Sequence, residues 1–179
     1  VSWGIPYWRF PMNDDGVTIG RILRAGDGLE GHLQRVFAQS PAAVWAMLTE
    51  SSEMAQWLAP GSIEQRLGGS VRIDFADSGS VIDSCVSAFE FGRLLEYSWS
   101  SGTQPQRPLR WELSEAAGGT QLRLCVKVPA NEDLAKACAG FEGHLEMLAA
   151  ALEGVPIKFP FDVFLQARKT YGKQMQSFG

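Results

Sequence analysis

Two side chains in this sequence have the type and setting for acid–base chemistry, His144 and Asp83. His144 flanks an apolar helical stripe beside Phe141 and Leu148, where an imidazole facing a cavity would titrate near neutral pH. Asp83 lies in a strand-like run between Val81 and Cys85; turned inward, its carboxyl would gain a raised pKa and serve as a general acid or base. The plainer readings are a histidine bonded to a neighbour on the helix flank and a solvated aspartate. Two histidines, His32 and His144, supply no Ser–His–Asp or Cys–His set and stand too far apart in sequence for a local metal motif. Cys85, Cys125 and Cys138 form no C-x-x-C pair, so neither a disulfide framework nor a zinc finger is indicated, and no cofactor is expected. Gly26, Gly28 and Gly31 satisfy G-x-G-x-x-G, but a dinucleotide loop needs a helix to start there, and His32 to Ala38 reads as a strand.

The elements that must position these groups follow from periodicity. Val17–Arg24 and Leu29–Ala38 read as a hairpin around Gly26-Asp27. Ser40-Pro41 opens a helix to Leu48, and a second short helix spans Ser52–Leu58. Strands are expected at Ile63–Leu67, Val71–Phe75, Ser80–Phe89, Leu95–Trp99, Leu109–Leu113 and Leu122–Val128. Tight turns between them argue for an antiparallel sheet with one wet face. The period then changes: Leu134, Cys138, Phe141, Leu145, Leu148 and Leu152 make one stripe on a long helix, capped by Asn131 and closed by Gly154 and Pro156. Gly140 and Gly143 inside it each cost about 1 kcal/mol against alanine, which implies close approach of another element or a ligand. Asp162 is expected to cap a last short helix carrying Phe164, Leu165 and Tyr171.

The totals narrow the function classes. With 16 Lys and Arg against 20 Asp and Glu, and a net charge of −4, no basic face for nucleic acid is expected. No run approaches the length of a spanning helix, no secretory leader is visible, and the cytoplasm is the simplest compartment. The organisation expected is an N-terminal extension over residues 1–15, one domain over 16–154, and a C-terminal extension over 155–179.

Seven spaced segments then agree with one family. Ser40-Pro41-Ala42-Ala43-Val44-Trp45, Gln56-Trp57-Leu58, Gly68-Gly69, Leu95-Glu96-Tyr97-Ser98-Trp99, Arg110-Trp111-Glu112-Leu113, Gly118-Gly119-Thr120-Gln121-Leu122 and Gly140-Phe141-Glu142-Gly143-His144-Leu145 occur in this order. Over about residues 32–154 the chain resembles the bacterial homologues of the activator of the 90-kDa heat-shock-protein ATPase. These belong to the START-like, or SRPBCC, superfamily; Phe141 stands where that family often shows Trp. The resemblance implies an α+β helix-grip fold, a curved antiparallel sheet around a long C-terminal helix. It implies function only broadly, since lipid carriers, cyclases, hydrolases and co-chaperone domains share the fold.

The residues themselves favour a binding domain for a small apolar or aromatic molecule, held in a cavity between sheet and helix. The expected lining is Phe75, Tyr97, Trp99, Trp111, Phe141, His144 and Leu148, with Trp57 near the mouth and Tyr97 and His144 fixing orientation. Two alternatives stand beside it. One is a cyclase- or hydrolase-type enzyme using His144 or Asp83. The other is an interaction module, co-chaperone-like or forming a homodimer, in which Phe159, Phe161 and Phe164 cover a partner.

Overall fold

A computed structural model describes residues 19–76 and 78–179. The aromatic segment 1–15 and the expected strand start at Val17 lie outside the described residues. Strands β1 (Arg21–Ala25) and β2 (Gly28–Phe37) form the expected hairpin. Ala25 pairs with Gly28, and Gly26 supplies the positive φ of +61° that the two-residue turn demands. Two helices follow, α1 (Pro41–Thr49) and α2 (Ser51–Trp57). The Ser40 hydroxyl caps α1 by accepting from the Ala43 backbone N–H at 3.2 Å.

The chain then lays down β3 (Gly61–Ile63), β4 (Ser70–Phe75), β5 (Ser80–Glu90), β6 (Leu94–Ser98), β7 (Pro108–Ala116) and β8 (Gly119–Val126). All pair antiparallel, in the order β1-β2-β8-β7-β6-β5-β4-β3. The strand expected at Ile63–Leu67 instead ends at Ile63. Glu64 turns the chain there: its carboxylate accepts from the backbone N–H and the hydroxyl of Ser70, at 3.0 and 2.6 Å.

Alternation along the strands sends Leu95, Tyr97, Leu109, Trp111, Leu122, Leu124 and Val126 to one buried face. Against that face lies α3 (Leu134–Leu152), whose Leu134, Cys138, Phe141, Leu145 and Leu148 are buried, while Leu152 is half-buried. Its N-cap is Asp133 rather than Asn131, because the Asp133 carboxylate accepts from Lys136 N at 3.0 Å. Gly140 has no neighbour within 4 Å of where a Cβ would stand, so the close approach expected there occurs only at Gly143. The architecture is the α+β helix-grip arrangement.

The tail is more than a short helix. Phe161–Gln176 forms α4, four turns that begin at Pro160 rather than at Asp162 and lie along α3 and β1. Tyr171 and Ala167 are buried beneath it. Gln174 clasps β1, accepting from Ile22 N at 2.8 Å and donating to the Gly20 carbonyl at 3.0 Å. At the centre of this junction sits Glu142, fully buried. Its carboxylate accepts from Gly20 N, from the Tyr171 hydroxyl, and from Arg35 Nη2 at 2.6 Å. None of the described helices is long and apolar enough to cross a membrane.

Candidate functional site

The sheet, α2 and α3 bring seven of the eight expected lining residues into one chain of ring contacts. Trp57, at the end of α2, meets Trp111 of β7 edge-on, with ring centres 5.9 Å apart. Trp111 meets Phe141 of α3 at 6.3 Å, and Phe141 meets Trp99 at 5.3 Å. Trp99 also touches Tyr97 and Phe75, at 6.5 and 5.7 Å. His144 closes the circuit against Phe75 and Phe141, at 6.3 and 6.4 Å. Such edge-to-face pairs stabilise by about 0.5–1.5 kcal/mol beyond the area they bury. Leu148, one turn beyond His144, is buried in the same face of α3.

The cluster has a deep end and a shallow end. Trp57, Trp111, Tyr97 and Phe141 are buried, whereas Phe75, Trp99 and His144 are half-buried. Trp57 therefore stands in the depth and not near the mouth. Its Nε1 donates to the Met47 carbonyl at 2.7 Å, which locks the ring between the helices and β7. The shallow edge is covered by a residue from the tail: Phe159 lies on His144, with ring centres 5.3 Å apart, and in turn meets Phe161 and Phe164. Phe159 and Phe164 thus turn onto the chain's own rings, while Phe161 stays 68% exposed.

Besides the Trp57 indole nitrogen, polar atoms of this ring cluster sit on His144, Tyr97, Trp99 and Trp111. His144 Nδ1 is 3.2 Å from the Trp57 carbonyl, which fixes the proton on Nδ1. Nε2 then carries the free lone pair, and among the described residues it makes no hydrogen bond. Burial holds the imidazolium pKa below its ordinary 6.5, against a smaller upward pull from that carbonyl. Trp111 Nε1 is buried and makes no aligned hydrogen bond. It lies beside the Tyr97 hydroxyl, near enough to favour the ionised phenol slightly, but burial dominates and pushes the Tyr97 pKa well up. At pH 7 the deep end therefore holds two neutral donors, Trp111 Nε1 and the Tyr97 hydroxyl, and the shallow end one neutral acceptor, His144 Nε2.

Asp83 is not part of this site. Ile82 and Val86 take the buried face of β5, so alternation puts Asp83 outside, 60% exposed and 3.7 Å from Arg72. It has neither the burial nor the position of a cavity acid. Two open grooves of the described surface lie elsewhere, one of about 310 Å³ on the outer face of the sheet and one of about 380 Å³ between the β1–β2 turn and Met175. None of the eight residues lines either groove.

Sequence reasoning left Phe159 out of the lining and left out the Glu142 junction altogether. The first had a signal in Gly143, whose missing side chain makes the seat for the ring. The second had one in β2, where the parity of Leu33 and Phe37 points Arg35 inward.

No curated protein matches this chain. Among solved structures it superposes on CalU16 from Micromonospora echinospora with a TM-score of 0.70 at 19% identity, covering 87% of this chain and 94% of that one. A conserved protein of unknown function from Enterococcus faecalis, EF2215, gives 0.73 at 20% identity, covering 89% and 92%. DynU16, a putative protein in the dynemicin biosynthetic locus, gives 0.65 at 28% identity over 71% of this chain, though over only 48% of DynU16. The family model described as Activator of Hsp90 ATPase homolog 1-like protein matches residues 38–153, a stretch from the end of β2 through α3 that carries the whole ring cluster apart from Phe159 and its tail neighbours, and the chain belongs to that family.

Proposed function

We propose that this domain binds a small, mostly apolar aromatic molecule at the shallow edge of the ring cluster, in the place that Phe159 fills in its absence. The observation that carries this reading is the seating of Phe159. An aromatic ring, delivered by the irregular segment between α3 and α4, lies in a notch made by Gly143 and against the ring of His144. A surface that holds one phenyl ring over the Gly143 notch and edge-on to His144 has the shape and quadrupole pattern to hold another. His144 Nε2, at this shallow edge, would accept from a ligand hydroxyl.

DynU16 is described as a putative protein in the dynemicin biosynthetic locus, and for this chain the ring-lined edge itself favours fused aromatic molecules as the ligand class. The enzymatic alternative keeps one residue, His144, as its only acid–base candidate in the cluster; binding requires nothing further.

The experiment is a thermal-shift and tryptophan-fluorescence screen against fused aromatic and polyketide-like compounds, run on the wild type and on Phe159→Ala. Binding at the proposed edge quenches Trp99 emission and raises Tm, and Phe159→Ala binds more tightly because no ring must be displaced. A panel that shifts neither protein, or hits whose affinity is indifferent to Phe159→Ala and Trp99→Leu alike, overturns the proposal.

A further inference from the structure

On the outer face of the sheet, β2 and β8 bring three different metal-ligand side chains together. Cys125 stands directly opposite His32 in the β2–β8 register. Glu30 lies two residues before His32, on the same strand and therefore the same face. One atom from each, a carboxylate oxygen, an imidazole nitrogen and the sulfur, lies within 4.8 Å of the other two. Glu30 Oε1 and His32 Nε2 are already 2.8 Å apart. All three residues are half-buried and line the groove of about 310 Å³ on this face.

We infer that Glu30, His32 and Cys125 form a site for a thiophilic divalent cation of the zinc class. Zinc takes thiolate, imidazole and carboxylate ligands at about 2.0–2.3 Å in tetrahedral array, which sets the donor atoms about 3–4 Å from one another. The observed donor spacing, 2.8 Å for one pair and within 4.8 Å for all three, brackets that range. A thiolate and a carboxylate with one neutral imidazole balance the charge of a divalent cation. Calcium and magnesium are disfavoured, since they require six or more oxygens and this set offers one carboxylate. Three protein ligands leave the fourth position for water or an incoming group.

The surroundings fit this assignment. Lys127 Nζ lies 3.2 Å from the other carboxylate oxygen, Glu30 Oε2, and can hold that oxygen while Oε1 coordinates. Arg110, which stands opposite Cys125 in the β7–β8 register, is engaged by Glu112 at 2.6 Å and Glu96 at 3.3 Å, so its charge is matched before a cation arrives. On binding, the Cys125 thiol proton leaves to solvent, the neutral His32 ring moves its proton from Nε2 to Nδ1, the His32–Glu30 hydrogen bond is replaced by two metal bonds, and no oxidation state changes. The argument from histidine spacing missed this set because the donors come from strands joined only by the sheet register.

The test uses the full chain with zinc and, as a spectroscopic probe, cobalt(II). The expected result is one equivalent bound, with thiolate-to-cobalt charge-transfer absorption in the near ultraviolet. Cys125→Ala and His32→Ala should each abolish or shift that band and weaken zinc binding by more than the about 10–100-fold that loss of an outer partner costs. Cys85→Ser, at an exposed cysteine outside the cluster, should leave both unchanged. Far-ultraviolet circular dichroism confirms that each variant folds, as expected for outward-facing side chains. Substoichiometric zinc, or zinc and cobalt binding that survives Cys125→Ala and His32→Ala, overturns the inference.

Discussion

The ring of Phe159 occupies the space that a side chain at Gly143 would need: a Cβ there would lie 2.6 Å from two of its carbons. A helical glycine that costs about 1 kcal/mol is thus exchanged for an aromatic contact between two segments. This makes the sign of a substitution depend on its partner. Gly143→Ala should lower Tm in the wild type, because the phenyl ring must leave its seat. The same change in Phe159→Ala should raise stability by about 0.5–1 kcal/mol, since only the helix-propensity gain remains. Gly140→Ala, with open space around it, should stabilise in both backgrounds. A urea-denaturation cycle of the two single variants and the double variant reads the coupling; additive effects would show that Phe159 does not sit in the notch.

The Glu142 junction should be the least forgiving part of the molecule. Its carboxylate is fully buried and pairs with Arg35, whose side chain is 13% exposed. Removing one partner of such a pair costs about 3–5 kcal/mol, because the other charge stays behind unpaired. Glu142→Ala should therefore come close to unfolding a domain of ordinary stability. Tyr171→Phe removes one donor and keeps the packing, and should cost about 1–3 kcal/mol. Burial and the Glu142 charge hold the Tyr171 pKa well above its usual value, so the phenol remains a donor throughout the accessible pH range. Equal losses for the two variants in urea melts would contradict this ordering.

How far the sequence reaches can be seen at particular residues. The α3 stripe was legible from Leu134 to Leu148 because a 3.6-residue period is a local property, and every described strand was expected from alternation or turns, with β3 alone set mostly on the wrong residues. The ring set from Trp57 to His144 was legible for the same reason: parity and stripe say which side chains face the space between sheet and helix. Depth was not legible. Trp57 and Phe75 look alike in sequence, and only the Trp57 bond to Met47 and its contact with Trp111 place it at the bottom. Nor was the fate of the tail, since Phe159 reaches Gly143 through a loop whose course no periodicity describes. Register was the third blind spot: nothing local brings Cys125 opposite His32.

His144 gives the domain an acid-side dependence whose sign follows from its surroundings. The ring faces Phe75, Phe141 and Phe159 and the Trp57 carbonyl, with no carboxylate among these contacts, so burial lowers its pKa from 6.5. The unfolded chain then takes up a proton at this site before the folded one does, and stability falls as pH drops through about 6.5. The loss continues until the depressed folded-state pKa is reached and is constant below it, amounting to about 1.4 kcal/mol for each unit of depression. Glu30 acts lower on the scale. Burial alone would raise its pKa, but hydrogen bonds from His32 and Lys127 outweigh that and hold it below 4.5, so its contribution disappears only in more acidic solution. Between about pH 6.5 and about pH 5 His144 therefore adds a slope of this sign. His144→Gln, which keeps a donor for the Trp57 carbonyl and does not titrate, should flatten the urea midpoint across that window. A slope unchanged by His144→Gln would place the proton uptake elsewhere and contradict the buried neutral imidazole.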